Sequence, residues 1–138
     1  MTRVATKPIL IASLLYFLAV FGVGFLLGPI RVFWLEPRIG PVWATLCESP
    51  FLLAAMRAAA RWAPRAAALE PAAQALALVG LFALLLTQIA EFAVGSALRG
   101  MSFAEQLSRF ATTPGIIYAV LLVIFTAMPV LANRHTDR

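Results

Sequence analysis

Histidine and cysteine are almost absent: the 138 residues hold one of each, His135 and Cys47. A lone cysteine excludes an intrachain disulfide and any multi-cysteine zinc or iron–sulfur site. With the only histidine in a polar tail, no haem or metal ligand set and no nucleophile–base pair lies within the apolar segments, so neither a cofactor nor a bound metal is expected. Charge is scarce too. Asp, Glu, Lys and Arg make up 12% of the chain, against about 25% in soluble domains. Hydrophobic residues reach 62%, where about 45–50% is usual. Too few polar side chains remain to cover a water-facing surface, which excludes a soluble enzyme and a disordered chain. The composition is that of an integral membrane protein.

The net charge of +5 does not point to nucleic acid. The basic residues stand singly between apolar runs, the pattern by which helical membrane proteins orient themselves. The glycines lie in apolar helix or in turns, and none forms a phosphate-cradling loop.

Four apolar runs approach the roughly 20 residues a membrane helix needs. The first covers residues 9–30 behind Arg3 and Lys7. It exceeds the roughly 7–15 residues of a signal-peptide core and no A-x-A site follows, so it reads as an uncleaved span. Residues 31–41, with Trp34 and two prolines, read as an interfacial loop, and Trp34 and Trp43 as interface anchors. The second span, residues 42–60, carries Glu48, Pro50 and Arg57, and reaches full length only if Arg57 snorkels toward the headgroups. Arg61, Trp62 and Arg65 mark the other interface, and an Ala-rich connector with Pro64 and Pro71 follows. The third span is residues 72–98, long enough to tilt.

Ser102 and Glu105 fit a capping box that opens a short helix over residues 103–111. Its Phe103, Leu107 and Phe110 share one side, with Gln106 and Arg109 off it, as in a helix lying in the interface. The fourth span, residues 115–132, follows Pro114. The expected fold is therefore all-α, a single membrane domain over residues 1–138 with four transmembrane helices and one short interfacial amphipathic helix. Arg3, Lys7, Arg57, Arg61, Arg65, Arg134 and Arg138 fall on one side, against Arg31, Arg38, Arg99 and Arg109 on the other. The positive-inside rule then puts both termini in the cytoplasm.

Three strongly polar side chains lie inside these spans: Glu48, Gln88 and Glu91. A central charge costs roughly 2.5–3.5 kcal/mol on a translocon scale, so each needs a partner, a proton or a wet cavity. Glu48 is seven residues from Pro41 and Glu91 seven from Leu98. At about 1.5 Å per residue both sit on the order of 10 Å below the same end of the bundle. Gln88 shares the Glu91 face, and Gly95 lets a neighbour approach there. Arg31 and Arg38 are the cations placed to answer the carboxylates, with Arg99 further off. Pro50 frees a backbone carbonyl nearby. Tyr118 falls at the same level and reads as a packing hydrogen bond. Whether Glu48 meets Glu91 depends on helix order, which spacing leaves open. The cluster reads as a structural lock, as a binding or proton-transfer site, or as an interface whose partner supplies the counter-charge.

Gly24 and Gly28, extended by Gly22, form a small-xxx-small pair on the first helix, and Ala93 and Ala97 another on the third. Both read as internal packing, or else as a homodimer seam. Cys47 reads as a small apolar filler, and Phe17, Phe21 and Phe25 as helical surface facing lipid or core.

Gly28-Pro29-Ile30-Arg31-Val32, Trp34-Leu35, Pro37-Arg38 and Glu48-x-Pro50 resemble a set of small four-helix inner-membrane proteins of proteobacteria. The likeness continues through Glu91, Arg99-Gly100 and Ser102 to Glu105 and covers most of the chain. It implies a bacterial inner-membrane location and brings no activity with it. Small multidrug-resistance transporters use a first-helix glutamate absent here, and fluoride channels carry polar pore motifs also absent. Glu48 before Pro50 is similar to part of the second-helix pattern of the glutathione-linked membrane enzymes, but the matching Asn is missing. The expected function is thus non-enzymatic, an accessory, assembly or structural subunit. The alternative is an oligomeric small-solute or proton-linked transporter using the intramembrane carboxylates. The expected partners are the lipid bilayer and a homo-oligomer or larger membrane complex.

Overall fold

Proline placement decides where the helices break. A computed structural model describes residues 6–70 and 72–133, leaving aside the side chain of Arg99. Helix α1, Thr6–Ile30, passes through a π turn, Arg31–Leu35, directly into α2, Glu36–Ile39. The loop expected over residues 31–41 is therefore helical nearly throughout. Pro37 would collide with the Phe33 carbonyl in an ordinary α-turn. The wider turn, closed by the Glu36 N–H on the Arg31 carbonyl, absorbs it. The chain reverses only at Gly40, whose φ of 88° favours glycine. Pro41 then takes the first position of α3, Pro41–Ala66, where its missing N–H costs nothing.

Helix α4, Ala73–Arg99, ends at Gly100 in the left-handed conformation, with the Met101 N–H closing on the Gly95 carbonyl. Helix α5, Phe103–Ser108, starts at Ser102, whose Oγ accepts from the Glu105 N–H at 3.1 Å. A 3₁₀ turn, Arg109–Ala111, leads to α6, Thr113–Ala132, capped in turn by Thr112. The described residues contain no strand.

Among the described residues three segments are long and apolar enough to cross a membrane: Thr6–Ile39, Ala73–Leu98 and Thr113–Ala132. Helix α3 is equally long but carries Glu48, Arg57, Arg61 and Arg65. The outer surface is rich in apolar side chains, among them Leu14, Leu18, Leu26, Leu85, Ile89, Val120 and Val123. Water would not tolerate such a continuous apolar coat.

The four long helices form a ring. Helix α1 packs on α3 and α4, and α6 packs on the same two, leaving α1 opposite α6 and α3 opposite α4. Where α1 begins and α6 ends, the ring is tightly closed. Ala12, Ala59, Ala60, Ala63 and Ala83 are buried there, and such small side chains let backbones approach. At Gly80 the approach is closest, because a Cβ would fall inside the Thr126 carbonyl. Tyr16 and Phe125 stack across the diagonal with ring centroids 4.5 Å apart.

Two helix-interior prolines are compensated at this closed end. Pro129 has no N–H for the Phe125 carbonyl, and the Tyr16 hydroxyl donates to that oxygen at 2.6 Å instead. Pro64 likewise strands the Ala60 carbonyl, which Asn133 Nδ2 fills at 3.0 Å.

The small residues singled out in the sequence do not do this packing. Gly28 has nothing near its Cβ position, and Gly24 meets only Leu52 at 3.7 Å. Ala93 and Ala97 point outward and are exposed. Cys47 is exposed too, so it fills no gap. Helix period alone cannot say which face of a uniformly apolar helix turns inward.

Candidate functional site

At the other end the ring splays around a cavity of about 880 Å³. Its floor is apolar, formed by Val20, Leu52, Met56, Leu121 and Phe125, and its upper walls carry Arg31, Glu36, Glu48, Gln88, Glu91, Arg109 and Tyr118. Met56 is eight residues deeper than Glu48, and Phe125 seven deeper than Tyr118. The floor thus lies about 10–12 Å below the polar level.

One wall is built by the helical turn that replaces the expected loop. It carries Arg31 inward, where Nε stands 2.8 Å from Glu48 Oε2 and Nη1 3.8 Å from Glu36 Oε1. The guanidinium is thereby held between two carboxylates. Its Nε–H is not aligned as a directed hydrogen bond, so the short contact to Glu48 is an ion pair. The side chains of Arg31 and Glu48 are only 19% and 10% exposed. Arg31 thus answers Glu48 as the sequence suggested. Arg38 does not join the cluster. It sits on the far side of the short α2 turn, its guanidinium 4.9 Å from the centre of the Trp34 ring, a cation–π pair.

The opposite wall joins α4, the 3₁₀ turn and α6. Gln88 and Glu91 line it from α4, and Tyr118 from α6. Tyr118 lies within the electrostatic reach of Glu91 and Arg109 and beside Gln88. The Tyr118 hydroxyl and Gln88 Nε2 are sealed from solvent. Glu48 and Glu91 therefore face one cavity from diagonally opposed helices.

Arg109 and Glu36 also line the cavity, although neither is among the residues the sequence suggested for the cluster. Glu36 lies in the helical extension of α1, and Arg109 in the 3₁₀ turn before α6. Gly115 has no Cβ to collide with the Arg109 carbonyl, and this brings the 3₁₀ turn against α6. Gln106, on the other side of α5 from Phe103 and Leu107, is buried, while those two are exposed. Its Nε2 donates toward the Phe92 and Met101 carbonyls and Ser96 Oγ at 3.3–3.4 Å. The space for it is the missing side chain of Gly95, as that residue's position on the Glu91 face suggested. Outward apolar and inward polar is the order a lipid environment favours.

A second hollow, between α4 and α6, is a shallow outward groove lined by residues such as Leu81, Leu84, Val123 and Val130. It holds none of the charged groups. Among the described residues no three His, Cys, Asp or Glu side chains converge as metal ligands.

The cavity of about 880 Å³ is open at the splayed end of the bundle rather than a sealed void. Water fills polar pockets where each molecule finds about three partners. The apolar floor offers few. The chain matches no protein-family model, no curated protein and no solved structure.

Proposed function

We propose that this chain is a non-enzymatic, multi-pass protein of the bacterial inner membrane whose working element is the polar-walled cavity, a binding pocket for a small molecule. The cavity itself carries this reading, because its volume falls in the roughly 300–1,000 Å³ range of ligand pockets. A carrier or transport role follows more naturally from such a pocket than a purely structural one does. The tight packing at the closed end makes the pocket a dead end within one protomer, so transport would require a second conformation or an oligomer.

In this reading α3 is the fourth span. Trp43 and Trp62, both more than half exposed, lie 19 residues apart on it. That spacing is about 28 Å along the axis, close to the roughly 30 Å of a hydrocarbon core. Arg57 lies within snorkelling distance of the Trp62 level. Helix α5, with Phe103 and Leu107 outward, lies in the opposite interface, and both termini are cytoplasmic. A reporter fused after Arg138 is expected to be active in its cytoplasmic form, and periplasmic activity would overturn this topology.

The second reading, an accessory or assembly subunit, is favoured by the exposed Ala93 and Ala97 on α4, where a partner helix could approach. Extraction from native membranes in mild detergent followed by native mass spectrometry separates the two. A homo-oligomer or monomer retaining a small non-protein mass supports the pocket. Foreign subunits without such a mass support the accessory role, and a bare chain that retains nothing overturns the pocket.

A further inference from the structure

On the outward face of α3, at the closed end of the bundle, we infer a binding site for one anionic phospholipid, its phosphate held by Arg57, Arg61 and Arg65. The site is separate from the cavity and rests on the reading of α3 as a membrane span. Three observations lead there. The first is azimuth. Ala59, Ala60 and Ala63 turn into the bundle, so the residues stepping by four through 57, 61 and 65 turn away from it, and all three arginines are exposed. The row drifts only about 80° around the helix while rising about 12 Å.

The second observation is charge. Like charges four residues apart on a helix repel, and among the described residues none of the three arginines forms an ion pair. Glu70, the acidic residue that follows them, stands beyond the end of α3. Lys7, also exposed, adds a fourth cation at the same end of the bundle. An anion is what this row lacks, and the guanidinium fork matches phosphate oxygens. Arg57, a turn deeper than Arg61, reaches the phosphate level along its flexible stem.

The third observation is what lies deeper on the same face. Toward the middle of α3 the outward residues are Ala58, Ala54, Pro50 and Cys47, all short and all exposed. Phe51 and Trp62 stand to one side of them. This shallow lane takes an acyl chain laid along the helix, with the head at the Trp62 level of the interface. A free phosphate ion would use the arginines alone, whereas a lipid uses the arginines and the lane together.

The test is native mass spectrometry of the delipidated full-length protein in a non-ionic detergent, titrated with three probes. These are palmitoyl-oleoyl-phosphatidylglycerol, the phosphatidylcholine with the same chains, and chain-free glycerophosphoglycerol. An arginine near a membrane surface is worth about fivefold in affinity for an anionic head, so phosphatidylglycerol is expected to bind roughly tenfold more tightly than either other probe, or better. Arg61→Gln should cut that preference about threefold or more. Replacing Arg57, Arg61 and Arg65 together by Gln should abolish it, while Arg38→Gln at the opposite end leaves it intact. Arg61→Gln carries the test alone if the triple variant does not fold. Equal binding of phosphatidylcholine would overturn the anionic head. Equal binding of glycerophosphoglycerol would reduce the row to a phosphate-ion site and overturn the lipid. A preference that survives the arginine variants would lie elsewhere and overturn the inference. In nanodiscs, Ala54→Cys in a Cys47→Ser background reports on α3 separately, and protection from a membrane-impermeant maleimide is expected. Modification would remove α3 from the bilayer and the lipid site with it, whereas protection without lipid preference would overturn the site alone.

Discussion

The Tyr16 hydroxyl donates to the Phe125 carbonyl, 109 residues away, because Pro129 has left that carbonyl without its helical donor. A loss within α6 is thus turned into a bond between the two diagonal helices. Tyr16→Phe keeps the ring stack and removes only the bond. Hydrogen bonds between membrane helices contribute about 0.6 kcal/mol on average and up to about 1.7 kcal/mol. This one serves an otherwise unsatisfied carbonyl, so the upper part of that range is expected, read as a lower melting temperature in detergent. Pro129→Ala restores the α6 donor. The double variant should therefore lose less than the two single losses added, and simple additivity would count against the compensation.

Glu48→Gln leaves Arg31 facing the cavity with only the longer contact to Glu36. Removing one partner of a fully buried pair costs about 3–5 kcal/mol, and the open cavity should hold this case near or below the lower bound. Arg31→Met combined with Glu48→Leu is expected to be more stable than Glu48→Gln alone. Chemical denaturation monitored by circular dichroism would show the order, and the reverse order would mean that the pair contributes net stability.

Glycine substitutions should separate position from motif. At Gly80 even Ala collides with the Thr126 backbone carbonyl, and overpacking of this kind costs about 1–3 kcal/mol. At Gly28, with nothing near its Cβ position, Ala should be neutral or stabilising by up to about 1 kcal/mol through helix propensity. Equal melting temperatures for Gly80→Ala and wild type would contradict the close helix crossing.

Gly95→Val should expel the Gln106 side chain from its seat on α4. The expected result is faster hydrogen exchange over residues 102–111, with protection in α1 and α3 unchanged. Unchanged exchange in that segment would show that other contacts hold α5.

Much of this architecture is legible along the chain. The apolar runs, the Ser102 cap, the Gly100 stop and the pairing of Arg31 with Glu48 all follow from local chemistry or from counting residues along a helix. Reading Pro37 and Pro41 as loop signals fails for a local reason as well. Each falls at a helix start, where proline is tolerated, and a π turn accommodates the first. Arg38 stands four residues after Trp34, so the two become neighbours on one face once the segment is helical, and reading that segment as a loop hid the contact.

Composition and hydropathy determined that this chain is helical, with segments long and apolar enough to cross a membrane. Those properties depend on single residues and on rise per residue, and both are written in the chain. Only the tertiary structure decided that α3 and α4 stand diagonally, that Glu48 and Glu91 share one cavity, and that Gly80 rather than Gly24 or Gly28 marks the close crossing. Helices this apolar offer no polar face to mark their outside. Their rotation and neighbours are therefore set by side-chain fit and by carbonyls that proline leaves open, quantities that exist only once the helices meet.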